Sequence, residues 1–167
     1  MVSREKRVLV TVGSTLFQDL TDAVLQPDFL RALSSSGYTY MMVQYGSAQL
    51  TWAGPDTVSG ISIETKPYIS NIDNVFASSD LIISHAGSGS ILSGLRMGKD
   101  MIVVPNSKLM DNHQVELAEV LQREGYLLKA TVGNLVETVS FDLLGKSFVP
   151  FPAFQPARFK QLVDNLF

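Results

Sequence analysis

Cysteine is absent from the 167-residue chain, which excludes disulfides and thiolate metal sites and agrees with a reducing compartment. No apolar run approaches the roughly 18–20 residues a membrane-spanning helix needs. The N-terminal "MVSREKR" is charged and unlike a secretory leader. The expectation is a cytoplasmic chain, soluble on its own and held at any membrane by something else. Excess basic charge is also missing: a net charge of −3 and a pI near 5.3 leave no electrostatic footprint for nucleic acid. Neither a G-x-G-x-x-G fingerprint after the first strand nor a Walker A lysine is present, so dinucleotide and P-loop readings lose support. His85 and His113, the only histidines, sit in no metal-ligand spacing. Neither a metal nor a cofactor is expected.

What the chain does contain is a globular composition, 46% apolar and 17% charged, of a length that fits one core. Aliphatic, β-branched runs at 8–13, 40–46, 61–68, 81–85, 101–105 and 126–130 read as strands. Helical spacing lies between them: 14–37, broken before Pro27, then 70–80, 88–98, 113–125 and 132–140. Residues 47–60, with Gly54, Pro55 and Gly60, read as a loop. Strands alternating with helices in this way predict a doubly wound parallel α/β sheet, Rossmann-like and covered on both faces.

Composition changes at the end. Residues 141–167 hold six of the nine phenylalanines and three of the seven prolines. There Phe159, Leu162, Val163 and Leu166 form the apolar stripe of an amphipathic helix. Such a helix either crosses back over its own domain or offers an interface to another chain. It is expected to lie far from the strand ends.

Ligands of open α/β sheets bind beyond the C-terminal ends of the strands. Three small polar clusters map there: "GST" (13–15), "HAGSGS" (85–90) and "DNHQ" (111–114). A Gly/Ser turn entering a helix presents free amides and the positive end of the helix dipole, which suits phosphate. The same residues are also what any tight strand-to-helix turn needs. "AGSGS" further resembles a degenerate nucleophile elbow centred on Ser88, lacking both flanking glycines. A hydrolase built on it would need His113 and Asp111, and so local an Asp–His pair is a poor orienting arrangement. A non-catalytic nucleotide-binding module is the third reading. His85 at a strand tip either touches a ligand or holds the turn.

Together, "VLVTVGST", "DLIISHAGSGSILSGLRMGK" and "IVVPNSKLMDNHQVELAEVL" resemble one family. It is the donor-binding subunit of the eukaryotic UDP-N-acetylglucosamine transferase that adds the second sugar of dolichol-linked oligosaccharide, for asparagine-linked glycosylation. A more distant similarity reaches the sugar-donor half of the bacterial transferase that makes lipid II. The resemblance implies the C-terminal, donor-binding half of a GT-B glycosyltransferase. Residues 1–140 would bind UDP-GlcNAc, a donor substrate rather than a cofactor. Residues 141–167 would dock a membrane-anchored acceptor-binding subunit through the C-terminal helix, at the cytosolic face of the endoplasmic reticulum. The acceptor would be a lipid-linked sugar.

By the same resemblance, His85, Gly87, Ser88, Gly89 and Ser90 would lie against the diphosphate, and Gly13, Ser14 and Thr15 would face the cleft. Ile69, Ser70 and Asn71 would meet uracil, and Asn112, His113 and Gln114 would read the N-acetylglucosamine. Ser93 stands where relatives carry an acidic residue for the ribose, and Asp100 where proline is usual. No general base is identified; His85 is the candidate within this chain, and the partner is the other source.

Overall fold

A computed structural model describes residues 3–109, 112–153 and 156–166, apart from the side chain of Phe159. Strand β1 (Arg7–Thr11) leads through a glycine turn into α1 (Gln18–Val24) and α2 (Pro27–Ser35), then β2 (Tyr40–Gln44). A hairpin of β3 (Thr57–Val58) and β4 (Ile61–Lys66) follows. After it come α3 (Ile72–Ser78), β5 (Leu81–His85), α4 (Ser88–Arg96), β6 (Asp100–Val104), α5 (Asn112–Arg123) and β7 (Leu128–Lys129). A single turn of helix, α6 (Leu135–Glu137), continues into a π-helical turn over Thr138–Asp142, and α7 (Pro156–Asp164) ends the chain. Pro27 opens α2 within its first turn, where the helix needs no N–H donor, so one helical pattern becomes two helices.

The strand order is β3-β4-β2-β1-β5-β6-β7. All pairs are parallel except β3 with β4. The six strands expected from the sequence are parallel to one another, and β3 corrects the reading of 47–60 as loop throughout. Ser59 and Gly60 both have positive φ (53° and 81°), the two-residue turn that matches the twist of an antiparallel hairpin.

Alternation along each strand divides the core. Val10 lies beside Val43 and Ile83, and Ile83 beside Ile102, on one face. Leu9 lies beside Met42 and Ile82, and Ile82 beside Met101, on the other. Helices cover both faces, so the strands read as continuous apolar runs.

The C-terminal segment wraps this domain. Phe148 packs on the first core and Phe151 on the second. Phe151 meets Tyr126 edge to face at 5.1 Å, and Val149 N–H donates to the Gly125 carbonyl at 2.9 Å. Leu162, Val163 and Leu166 also pack on the second core. Phe154 and Phe167 lie outside the described residues. Among the described residues no helix is long and apolar enough to cross a membrane.

The chain winds outward from β1 through β2 to β4, returns to lay β5 on the other side of β1, and continues to β6 and β7. The winding reverses between β1 and β5, so their C-terminal ends flank a crevice at the topological switch point.

Candidate functional site

Thr11 and Ser84 are register partners at the ends of β1 and β5. One residue further, His85 closes β5 with only 8% of its surface exposed. Its ring lies between two glycines. A methyl group at Gly87 would come within 2.4 Å of Nε2, and one at Gly13 (φ 62°) within 3.0 Å of Cε1. Nδ1 is buried without a hydrogen-bond partner among the described residues. Burial holds the imidazole below its ordinary pKa, opposed by the Thr11 backbone, so the neutral ring is favoured.

Past Gly87 the chain enters α4 with no side-chain cap. The Ile91 N–H donates to the Gly87 carbonyl at 3.1 Å. The amides of Ser88, Gly89 and Ser90 precede that bond, in the turn whose donors a helix cannot satisfy itself. Ser88 and Gly89 are exposed, and a methyl group at Gly89 would meet nothing within 4 Å among the described residues. Open donors and a helix dipole at a switch point form an anion cradle.

Two buried amides hold the neighbouring loops. Gln44, at the end of β2, accepts from the Thr11 hydroxyl (2.6 Å) and from the amides of Val12 (3.2 Å) and Gly13 (3.0 Å). Its Nε2 donates to the carbonyls of Gly13 (2.7 Å) and Pro67 (2.9 Å). One side chain thus ties the turn after β1 to the segment leading to Ile69–Asn71. Asn106, after β6, donates to the Leu16 carbonyl at 3.2 Å and accepts from Lys108 N–H at 3.1 Å. It fastens the loop before α5 to the loop after β1. Sequence reading missed both; the only signal was a carboxamide closing or following an apolar strand.

A pocket of about 400 Å³ opens here, lined by Thr15, His85, Ala86, Gly87, Ser88, His113, Gln114, Leu117, Val163 and Leu166. All three sequence clusters contribute to it. The larger pocket, about 440 Å³ between α2 and the helical turn after Asn134, contains none of them. The Thr15 hydroxyl donates to the Val12 carbonyl at 2.7 Å, so it fixes its own turn, while Ser14 is exposed. Ser90 and Ser93 are half-buried along α4. Asn112 and His113 are exposed at the start of α5, with His113 Nδ1 3.8 Å from Glu116. Asp111, the acid of the hydrolase reading, lies outside the described residues. Ser70 and Asn71 are exposed before α3, and Ile69 rests on the second core.

Val163 and Leu166 correct the expectation that the C-terminal helix lies far from the strand ends, because they form one wall of this pocket. An amphipathic stripe says that a face is buried, not which surface buries it. Asp100 opens β6 at the opposite end of its strand from this pocket. Burial raises its carboxyl pKa, with Lys6 opposing.

The profile of the glycosyltransferase family 28 C-terminal domain matches residues 7–162. The chain belongs to that family. It is 36% identical to "UDP-N-acetylglucosamine transferase subunit ALG13" of Cryptococcus neoformans, over 95% of each chain. It is 43% identical to the subunit of that name from Yarrowia lipolytica, over 72% of this chain and 63% of that one. The human ALG13 is 40% identical over 75% of this chain, which spans 11% of that protein.

The solution structure of an ALG13 superposes with a TM-score of 0.72 at 26% identity, over 96% of both chains. Acinetobacter baumannii MurG shares the fold (TM-score 0.67, 18% identity), over 99% of this chain and 45% of that one. The fold is therefore the Rossmann-like, C-terminal half of a GT-B glycosyltransferase, as expected. The Ser88 hydrolase reading has no support among these relatives.

Proposed function

We propose that this chain is the donor-binding, catalytic subunit of an N-acetylglucosaminyltransferase that moves GlcNAc from UDP-GlcNAc to dolichol-diphosphate-GlcNAc. The observation that carries it is the open first turn of α4 at the switch point, with Thr15, His113 and Gln114 lining the same pocket. The diphosphate lies on the amides and hydroxyls of Ser88–Ser90. Asn112, His113 and Gln114 face the sugar, Ser93 the ribose, and Ile69–Asn71 the base. Gly13 and Ser14 face the acceptor.

The acceptor hydroxyl oxygen attacks the anomeric carbon as the bond to the β-phosphate oxygen breaks, with inversion, and its proton passes to a base. Charge grows on the departing diphosphate. Donors already aimed there stabilise the transition state more than the ground state, without solvent reorganisation. Ser88 thus acts as a donor and forms no covalent bond.

The acceptor site belongs to a separate, membrane-anchored subunit at the cytosolic face of the endoplasmic reticulum. Residues 141–167 are its docking element, through the outward face of the C-terminal segment, because Leu162, Val163 and Leu166 are turned onto this chain's own second core. What supports a partner is that these relatives are each named a "transferase subunit". The test is a transfer assay with chain and partner together. A Ser88→Ala, Ser90→Ala double variant should lose at least about tenfold in rate, in line with removal of oxyanion-type donors. Unchanged transfer would remove the phosphate role.

A further inference from the structure

We propose that His85 is a positioning residue of the donor site, its ring acting as the wedge that sets the spacing between the turn after β1 and the turn opening α4. The role assigned to those turns rests on the donor-binding reading above; the wedge itself rests on geometry. Gly87 has φ −74° and ψ 124°, a conformation open to any residue. The backbone therefore gives no reason for glycine there. The reason is the ring: a methyl group would stand 2.4 Å from Nε2 and 2.8 Å from Cε1.

On the opposite side, Gly13 meets the same ring, with 3.0 Å from a methyl group to Cε1 and 3.4 Å to Nε2. Two glycines far apart in sequence thus border one side chain, although the positive φ of Gly13 (62°) favours glycine there in any case. The turn at Gly13 carries Ser14 and Thr15, and the turn at Gly87 carries the amides of Ser88–Ser90. The thickness of an imidazole fixes how far apart they stand. Nδ1 is buried without a hydrogen-bond partner among the described residues, so no hydrogen bond at that atom sets the position of the ring. Interiors packed this closely transmit displacements of a few tenths of an ångström. A smaller residue at 85 would let the two turns approach and misalign the cradle.

The experiment is a double-mutant cycle in the full chain, read by calorimetric titration with UDP. Gly87→Ala alone should weaken UDP binding at least about tenfold, whereas in a His85→Ala background the same change should cost less than about threefold, because residues in contact do not act independently. Fold-changes that simply multiply would overturn the proposal. Should His85→Ala fail to fold, His85→Asn takes its place in the cycle.

Amide spectra of ligand-free His85→Asn supply a second readout. Shifts at Gly13–Thr15 as well as Gly87–Ser90 are expected, and shifts confined to the residues flanking position 85 would overturn the wedge. Absence of UDP binding by the native chain would count against the donor reading, and the amide shifts would still decide the wedge.

Discussion

At the scale of single residues, the glycines of "SHAGSGS" separate into two jobs. Gly87 makes room for His85, whereas Gly89 faces space that nothing among the described residues fills. Gly89→Ala therefore collides with no protein atom and adds a better helix former, worth about 0.5–1 kcal/mol to α4. The expected outcome is a melting temperature unchanged or raised, together with UDP affinity lowered at least about tenfold because the methyl group meets ligand. Calorimetry and a melting curve on one preparation check it; undiminished affinity would place the diphosphate elsewhere.

His85 makes a second prediction. Its folded pKa lies below the ordinary 6.5, so the unfolded chain binds the proton more readily. The contribution of the neutral ring to stability is full above about pH 6.5 and is lost as pH falls through the lowered folded pKa. Melting curves across that range should show an acid-side decline that His85→Asn flattens. Sequence alone placed His85 at a strand tip and left its role open, because only the fold brings Gly13 to its other side.

At the scale of elements, strands were legible wherever both faces are buried. Val8, Val10, Ile82, Ile83, Ile102 and Val103 are aliphatic because helices cover both sides of the sheet. β3 was not legible: two residues carry no periodicity, and its Ser-Gly turn lay inside a stretch already rich in turn residues. Gln44 was equally silent, since a polar residue ending a strand usually marks an exit to solvent. Here it is buried and joins three segments. Gln44→Leu would strand the Thr11 hydroxyl and several backbone groups, costing about 2–3 kcal/mol by denaturant titration. UDP affinity should fall as well, because the turn after β1 loses its anchor. A stable variant with native affinity would show that this turn is held by other means.

The terminal helix gives the other element-scale test. Val163 and Leu166 are half-buried on the second core. Val163→Ala with Leu166→Ala should cost about 2 kcal/mol and lower the melting temperature by roughly 4–8 °C. Unchanged melting would mean that α7 contributes little to the domain.

At the scale of the whole molecule, the chain has the fold of the C-terminal half of a GT-B glycosyltransferase, and on the proposed function its crevice is completed by a second subunit. The isolated chain presents its switch point and cradle to solvent, so donor binding and transfer should separate. The chain alone is expected to bind UDP-GlcNAc without transferring GlcNAc, and adding the acceptor-binding subunit should restore transfer. Sequence reached this level through its three clusters and their resemblance to a family. The walls supplied by Leu117, Val163 and Leu166 were out of reach, because they depend on where α5 and α7 come to rest.

The most direct measurement is a titration of the isotope-labelled chain with UDP, followed amide by amide. The account predicts the largest shifts at Ser88, Gly89 and Ser90, with smaller ones at Asn71 and Gln114. Saturable binding that leaves the first turn of α4 unmoved, with shifts clustered around Asp28, Arg31 and Ser140 instead, would contradict it.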